Sequence, residues 1–522
     1  MKLWEKGIVY QIYPRSFNDS NGDGIGDLQG IIQKLDYLKE LGVDIIWLSP
    51  PYLSPNNDNG YDVADYYKIN PEYGSMEDMD LLIEKAKKRN IRIIMDLVIN
   101  HTSTEHWWFK EAAKGKDNPY RDYYIWRDKK NNWGSFFGGT TWEKLDDQYY
   151  LHLFDKSQAD LNLKNPKVIK EVKDIMTYWL DKGIYGFRMD VINVIYKNSL
   201  ENGKRRFVLT GLEHYLSTER NHEILKELRR DVLDNYDTFT VGETVLVTPK
   251  EALDLMAKER KELDLVIAFE HMDVDHFNNK WFKIKYKPKK MIKALDKWQT
   301  ALPWNCLYFE NHDQPRSVSR FGLIKYHKES AKMLALVLLS LRGTPFIYQG
   351  EEIGMTNGDF TSLDEIMDKE THNVWKVGRK LLIPKRKLTK MILKATRDHA
   401  RTPMQWDEKG WVNPWLKQNK NKSHINVENS LKDKDSILNF YKKMIEFRKN
   451  SHCLTKGEYK LISSKKDVFV FERSFENEKL LIVANMTNKE RPFNVNNDVL
   501  ISNYSDKISY LRPYEAYIVE VK

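Results

Sequence analysis

Gly186-Phe-Arg-Met-Asp190 closes a short apolar run that begins at Gly183, and it leaves an arginine and a carboxylate at the end of a strand-sized segment. Three other strings have the same form. Asp96-Leu-Val-Ile-Asn-His101 grows out of Ile91 to Met95 (interrupted by Arg92), Val241-Gly-Glu243 ends a run from Phe239, and Glu310-Asn-His-Asp313 follows Cys306 to Phe309. A parallel α/β barrel carries its chemistry on charged groups at the carboxyl ends of apolar strands. Four such strings in one chain predict a (β/α)8 TIM barrel with one shared active site.

The segments around them alternate in the way such a barrel requires. Ile31 to Leu41 has helical spacing, Val43 to Leu48 is a buried strand, Glu77 to Arg89 is helical again and Ile91 to Val98 is the next strand. This βαβα order predicts a parallel sheet with right-handed crossovers. Residues 102–168 break the pattern; they are rich in Trp, Tyr, Asn, Gly and Asp and predict a small domain inserted after strand 3. Alternation resumes with a helix at Pro166–Lys182, so the barrel spans 1–101 and 169–453, with further strands near Leu265–Phe269, Asn305–Phe309 and Thr344–Tyr348. From residue 454 the β-prone segments Tyr459–Ile462, Val468–Arg473, Leu480–Ala484 and Ala516–Val521 predict a C-terminal all-β sandwich over 454–522.

The 522 residues exceed one ordinary domain, and 41% apolar and 12% aromatic content permits a large core. The two cysteines, Cys306 and Cys453, make no disulfide framework, so a reduced, cytoplasmic protein is expected. No secretory signal opens the chain, and no apolar run reaches the roughly 18 residues of a membrane span. Much of the net charge of +9 lies in Lys376–Lys394 and the C-terminal third. The lysines around 376–394 interleave with Leu381, Leu382, Leu388, Ile392 and Leu393, so they predict a solvated helix face and no nucleic-acid partner.

The four strings resemble the four motif regions of the alpha-amylase family, glycoside hydrolase family thirteen. Gln158-Ala-Asp-Leu-Asn162 resembles a fifth. Val9-Tyr-Gln-Ile-Tyr-Pro-Arg-Ser-Phe17, Asn59-Gly-Tyr-Asp62, Gly350-Glu-Glu-Ile-Gly-Met355 and Ala400-Arg-Thr-Pro-Met-Gln-Trp406 are similar to the oligo-1,6-glucosidase and dextran-glucosidase subfamily. The resemblance implies a retaining, exo-acting α-glucosidase that acts on small oligosaccharides. Such chemistry needs one ionised carboxylate to attack the anomeric carbon and one protonated carboxyl for the leaving oxygen. Arg188 and Asp190, two apart on a strand, leave the same face, and a guanidinium favours ionised Asp190 as nucleophile. Glu243 has no cation beside it in sequence, which suits the general acid.

By the same resemblance Asp313 is the third carboxylate, His101 and His312 bind the sugar, and Asp96 orients Arg188. Tyr61 stacks on the sugar, Asp62 pairs with Arg401 to close the pocket, and Phe137 and Phe154 line it. Val191 after the nucleophile implies α-1,6 bonds. Ala159 in the fifth motif and Thr244-Val245-Leu246 after Glu243 depart from the 1,6 pattern, which leaves α-1,4-glucosidase, sucrose hydrolase, trehalose-6-phosphate hydrolase and transglucosylase open. Non-catalytic transporter subunits resemble this family too, but they carry a membrane helix and lack the catalytic carboxylates. A monomer with no organic cofactor is expected. Asp19, Asn21, Asp23 and Asp27 alternate like the first half of an EF-hand loop, with the Ile25 carbonyl between them, but position twelve is Gly30 rather than Glu. Relatives carry a divalent cation in this loop, which implies structural Ca2+ or Mg2+.

Overall fold

The structure, a computed structural model, describes residues 1–206, 208–493, 498–506 and 510–521. Eight strands form its centre: β1 (Val9–Ile12), β2 (Ile45–Leu48), β3 (Arg92–Leu97), β4 (Gly186–Met189), β5 (Phe239–Glu243), β6 (Leu265–Ile267), β7 (Cys306–Leu307) and β8 (Thr344–Tyr348). Their order is β6-β5-β4-β3-β2-β1-β8-β7, and every ladder is parallel. The first strand pairs with both β2 and β8, and the ring closes where β6 meets β7 without a ladder. Nearly every residue of these strands is buried, as expected where helices cover the outer face and packed side chains fill the inner one.

Local chemistry sets the crossover helices. Ser75 caps Met76–Lys88 in a reciprocal capping box with Asp78, and Asn165 caps Pro166–Asp181 with proline at the first turn. The helix expected over 31–41 is two helices, Leu28–Gln33 and Leu35–Leu41; Asp27 caps the first by accepting from the Gly30 N–H. Of the apolar residues expected on one lysine-rich helix face, Leu388 and Ile392 are buried. Leu381 and Leu382 lie exposed in the turn between Lys369–Lys380 and Lys385–Ile392.

The inserted segment returns to the barrel through an antiparallel pair, His101–Ser103 with Gln158–Asp160. It also carries a three-stranded sheet of Trp126–Arg127, Gln148–Leu151 and Trp142–Leu145. At the C-terminus a five-stranded antiparallel sheet spans Glu458–Ser463, Val468–Phe475, Glu478–Asn485, Val499–Ser502 and Ala516–Glu520. Val499–Ser502 was not expected. Phe469 and Phe471 join the main core, while Val468 and Val470 on the other face pack with Leu511 and Val519. Buried Arg473 binds this sheet to the barrel by donating to Ser340 O at 2.6 Å, at the end of the helix His327–Ser340; Arg448, from the helix Ile437–Asn450, donates to Leu339 O at 2.7 Å at the same helix end, where the dipole favours a cation. Among the described residues no helix is long and apolar enough to cross a membrane.

Candidate active site

Strand register assembles the charged centre. Arg188 on β4 lies opposite Asp96 on β3 and Val241 on β5. One terminal nitrogen, Nη1, donates to Asp96 and, at 2.6 Å, to Asp190 Oδ1; the other, Nη2, is 2.6 Å from Glu243 Oε2. A fork of N–H groups thus holds two carboxyls from adjacent strand ends side by side. Trp47 Nε1 donates to the second Asp96 oxygen at 2.6 Å, so Asp96 orients the arginine from behind, as expected. Val191, directly after Asp190, has φ of +38, an uncommon conformation for a β-branched residue. It turns its N–H onto Glu243 Oε2 at 3.2 Å.

Burial dominates the electrostatics. It raises Asp190 to about 6 although Arg188 pulls the other way. It raises Glu243 further, to about 8, with Arg188 opposing and Asp190 and Asp313 reinforcing. The cation beside Glu243 is absent from its sequence neighbourhood and arrives from β4. The pair still separates into a lower carboxyl for attack and a higher one for proton donation. Asp190 and Glu243 thus sit on the two terminal nitrogens of one guanidinium.

Asp313 takes Arg401 Nη2 at 2.9 Å and Arg397 Nη1 at 3.3 Å. Burial pushes its carboxyl up, but His312 and these two arginines together hold it well below the usual range. His312 stacks on Tyr61 with ring centres 5.0 Å apart. Burial keeps His312 and His101 neutral, at about 3 and about 4. Phe154 lies over His101, and Phe137 under the Arg397 guanidinium at 5.1 Å. All of these except Arg401 line a cavity of about 570 Å3 together with Asp190, Val191 and Glu243.

The expected Asp62–Arg401 closure is not formed. Asp62 is fully buried and accepts from Ser54 Oγ and from the Asn57 and Asp58 N–H groups, so it braces the turn from behind. Arg401 is turned to Asp313 and the His312 carbonyl. The ion pair at the cavity wall is Asp58–Arg397, at 2.8 Å. Gln158 Nε2 donates to the other Asp58 oxygen, and Asp368 grips Arg397 at 2.6 Å. Sequence reasoning also passed over Phe136, Lys280, Glu370 and the lining role of Val245 and Leu246. Only the departure from pattern after Glu243 hinted at any of them.

The loop expected to take a cation, Asp19 to Asp27, contributes no residue to this cavity. Asp19 accepts from the Gly22 and Gly24 N–H groups, Asp23 from Ile25 N–H, and Asp27 from Ser20 and Gly30. Among the described residues no three His, Cys, Asp or Glu side chains converge as metal ligands. The loop's own donor set is oxygen only, the kind that hard divalent cations take.

A barrel with paired carboxyls of split pKa on adjacent strand ends defines a glycoside hydrolase. Residues 11–457 match the alpha amylase catalytic domain, and the chain belongs to the alpha-amylase family. It is 49% identical to an oligo-1,6-glucosidase of Bacillus cereus, with 99% of each chain covered. Among solved structures it superposes on a trehalose-6-phosphate hydrolase of Bacillus licheniformis with a TM-score of 0.94 at 43% identity, and on an isomaltulose synthase of Klebsiella sp. LX3 with a TM-score of 0.94 at 37% identity. Both chains are covered fully in each case.

Proposed function

We infer that this protein is a retaining exo-α-glucosidase that removes glucose from the non-reducing end of short, chiefly α-1,6-linked oligosaccharides. The observation that carries this reading is the buried Asp58–Arg397 pair beside the carboxyl pair. On this reading the pair closes the cavity beyond the terminal sugar, so the chain end enters first. Asp190 attacks the anomeric carbon while Glu243 protonates the departing oxygen. Glu243, now a carboxylate, then takes a proton from water, whose oxygen displaces Asp190 from the same carbon. The second inversion restores the α configuration.

Val191 beside the nucleophile and the likeness to an oligo-1,6-glucosidase support the α-1,6 preference. Likeness to a trehalose-6-phosphate hydrolase supports a second reading, which charge pairing disfavours. Each basic side chain lining the cavity already has a carboxylate: Lys280 with Glu370 at 2.6 Å, Lys297 with Glu270 at 2.7 Å, and Arg397 with Asp58. A phosphate has to displace one of them. The test is glucose release from isomaltose, maltose, sucrose and trehalose 6-phosphate, compared as kcat/KM. Isomaltose is expected to lead by roughly tenfold, about 1.4 kcal/mol of transition-state binding. A lead for any of the other three overturns the linkage assignment and leaves the carboxyl pair in place.

We also propose that the loop from Asp19 to Asp27 takes up Ca2+ or Mg2+ on Asp19, Asn21, Asp23, Asp27 and the Ile25 carbonyl. The oxygen-only donors support this, and so does the left-handed backbone at Gly22 and Gly24 that lets the loop curl. Ca2+ added back after chelation is expected to raise Tm by a few degrees with kcat unchanged. An unmoved Tm removes the site.

A further inference from the structure

Lys197 is a lysine with only 3% of its surface exposed. It stands between the barrel and the inserted segment. Its Nζ is 2.6 Å from the Asp160 carboxylate and donates to Asn100 Oδ1 at 2.7 Å. An ammonium has three N–H groups and no acceptor, so the Asn100 atom facing it has to be the amide oxygen. That settles the other end of the amide. Asn100 Nδ2 faces His101 Nδ1 at 3.1 Å. An amide NH2 has only protons to offer, so Nδ1 is bare and accepts.

A neutral imidazole carries one proton, which is then on Nε2. Nε2 lies 3.0 Å from the Tyr61 carbonyl, a group that only accepts, so the far side of the ring requires the same tautomer. Gln158 Nε2, 3.1 Å from this ring nitrogen, spends its protons on Asp58 and the Tyr61 carbonyl instead. Burial keeps the ring neutral. The other cavity histidine is set without an ammonium: Gln11 Nε2 faces His312 Nδ1 at 2.8 Å, and His312 Nε2 lies 3.4 Å from the Asp313 carboxylate, which only accepts.

We propose that Lys197, acting through the Asn100 amide, fixes His101 in its Nε2–H tautomer and so aims its one proton at the Tyr61 carbonyl, which holds Tyr61 in place in the cavity wall. Lys197 and Asn100 do not line that cavity, whereas His101 does. They are positioning residues, which act through His101 on Tyr61. The expected effect on sugar turnover rests on the glucosidase reading; the tautomer does not.

The experiment uses full-length protein with 15N-labelled histidine and no substrate, with the His101 signals assigned by their loss in His101→Gln. A bare Nδ1 and a protonated Nε2 are expected in the unaltered protein. Asn100→Asp is nearly isosteric and puts an acceptor opposite Nδ1. It is expected to draw a proton onto Nδ1 and, with the buried Tyr61 carbonyl left without its donor, to lower kcat/KM on the best sugar by about tenfold. Lys197→Met frees the amide to rotate and is expected to give mixed tautomers, while Lys197→Arg, again donor only, restores the original one. Where Lys197→Met does not fold, Asn100→Asp carries the test alone. A protonated Nδ1 in the unaltered protein, or a bare one in Asn100→Asp, overturns the proposal. A shifted tautomer with unchanged kcat/KM overturns the positioning role. The spectra need no substrate, so a wrong glucosidase reading leaves them as they stand.

Discussion

Asp190→Asn is expected to lower kcat by at least about 10^4-fold, more than about 5 kcal/mol of transition-state stabilisation. The amide keeps an oxygen for Arg188, so the fork survives and the fold with it. What is lost is the charge that attacks the anomeric carbon. Glu243→Gln is expected to behave differently with the leaving group. On isomaltose the departing alkoxide needs a proton, and the rate falls comparably. On an aryl glucoside whose phenolate leaves unaided, the first step recovers in Glu243→Gln and stays lost in Asp190→Asn. The same pair sets the pH profile of kcat/KM. As pH falls through about 6, Asp190 gains a proton and cannot attack; as pH rises through about 8, Glu243 loses the proton it must give. Rate therefore peaks near neutrality, and the alkaline limb disappears for the aryl glucoside in Glu243→Gln. Steady-state kinetics on the two substrates across pH checks all of this. An Asp190→Asn enzyme within tenfold of the parent removes the nucleophile assignment.

What the sequence makes legible here is whatever a strand end carries by itself. Asp96, Arg188, Asp190, Glu243 and Asp313 each close an apolar run, and a barrel brings strand ends together whatever lies between them. Pairings across the ring are another matter. The cation on Glu243 comes from Arg188, 55 residues earlier, and only the β4–β5 register puts it there. The closing ion pair is harder still. Asp58 and Asp62 are four apart in one turn, Arg397 and Arg401 are four apart around a short helix, and spacing alone cannot choose between them. The choice is made by backbone N–H groups. Those of Asn57 and Asp58 need an acceptor inside the turn, Asp62 supplies it, and Asp58 is left to face the cavity. Similarly, the break at Lys34 within the expected 31–41 helix follows from Asp27 capping an earlier start, which periodicity over 31–41 does not register.

Exchange of the two aspartates in that turn separates closure from support. Asp58→Asn is expected to lower kcat/KM on isomaltose by about 10^2-fold or more, about 2.7 kcal/mol. Arg397 then loses the carboxylate that anchors it at the wall, although Asp368 and Asp313 still hold the guanidinium in the cavity. A clamp on the terminal sugar acts on bound substrate and on the transition state alike, so KM is expected to carry much of the loss. Arg397→Lys keeps the charge but removes the planar fork that spans Asp58, Asp368 and Asp313, and a loss of the same order is expected. Asp62→Asn is expected to do the reverse. It weakens three hydrogen bonds inside the turn, so Tm falls, while kcat/KM at moderate temperature stays within a few-fold. Kinetics and thermal melts of the three variants read both axes. If Asp62→Asn lost the activity and Asp58→Asn kept it, closure would belong to Asp62 and the cavity wall would have to rearrange on binding. If the wall is what excludes longer chains, Asp58→Asn should also begin to release disaccharide from isomalto-oligosaccharides. A widened end wall produces that product shift, and a merely weaker clamp on the same one-sugar pocket does not.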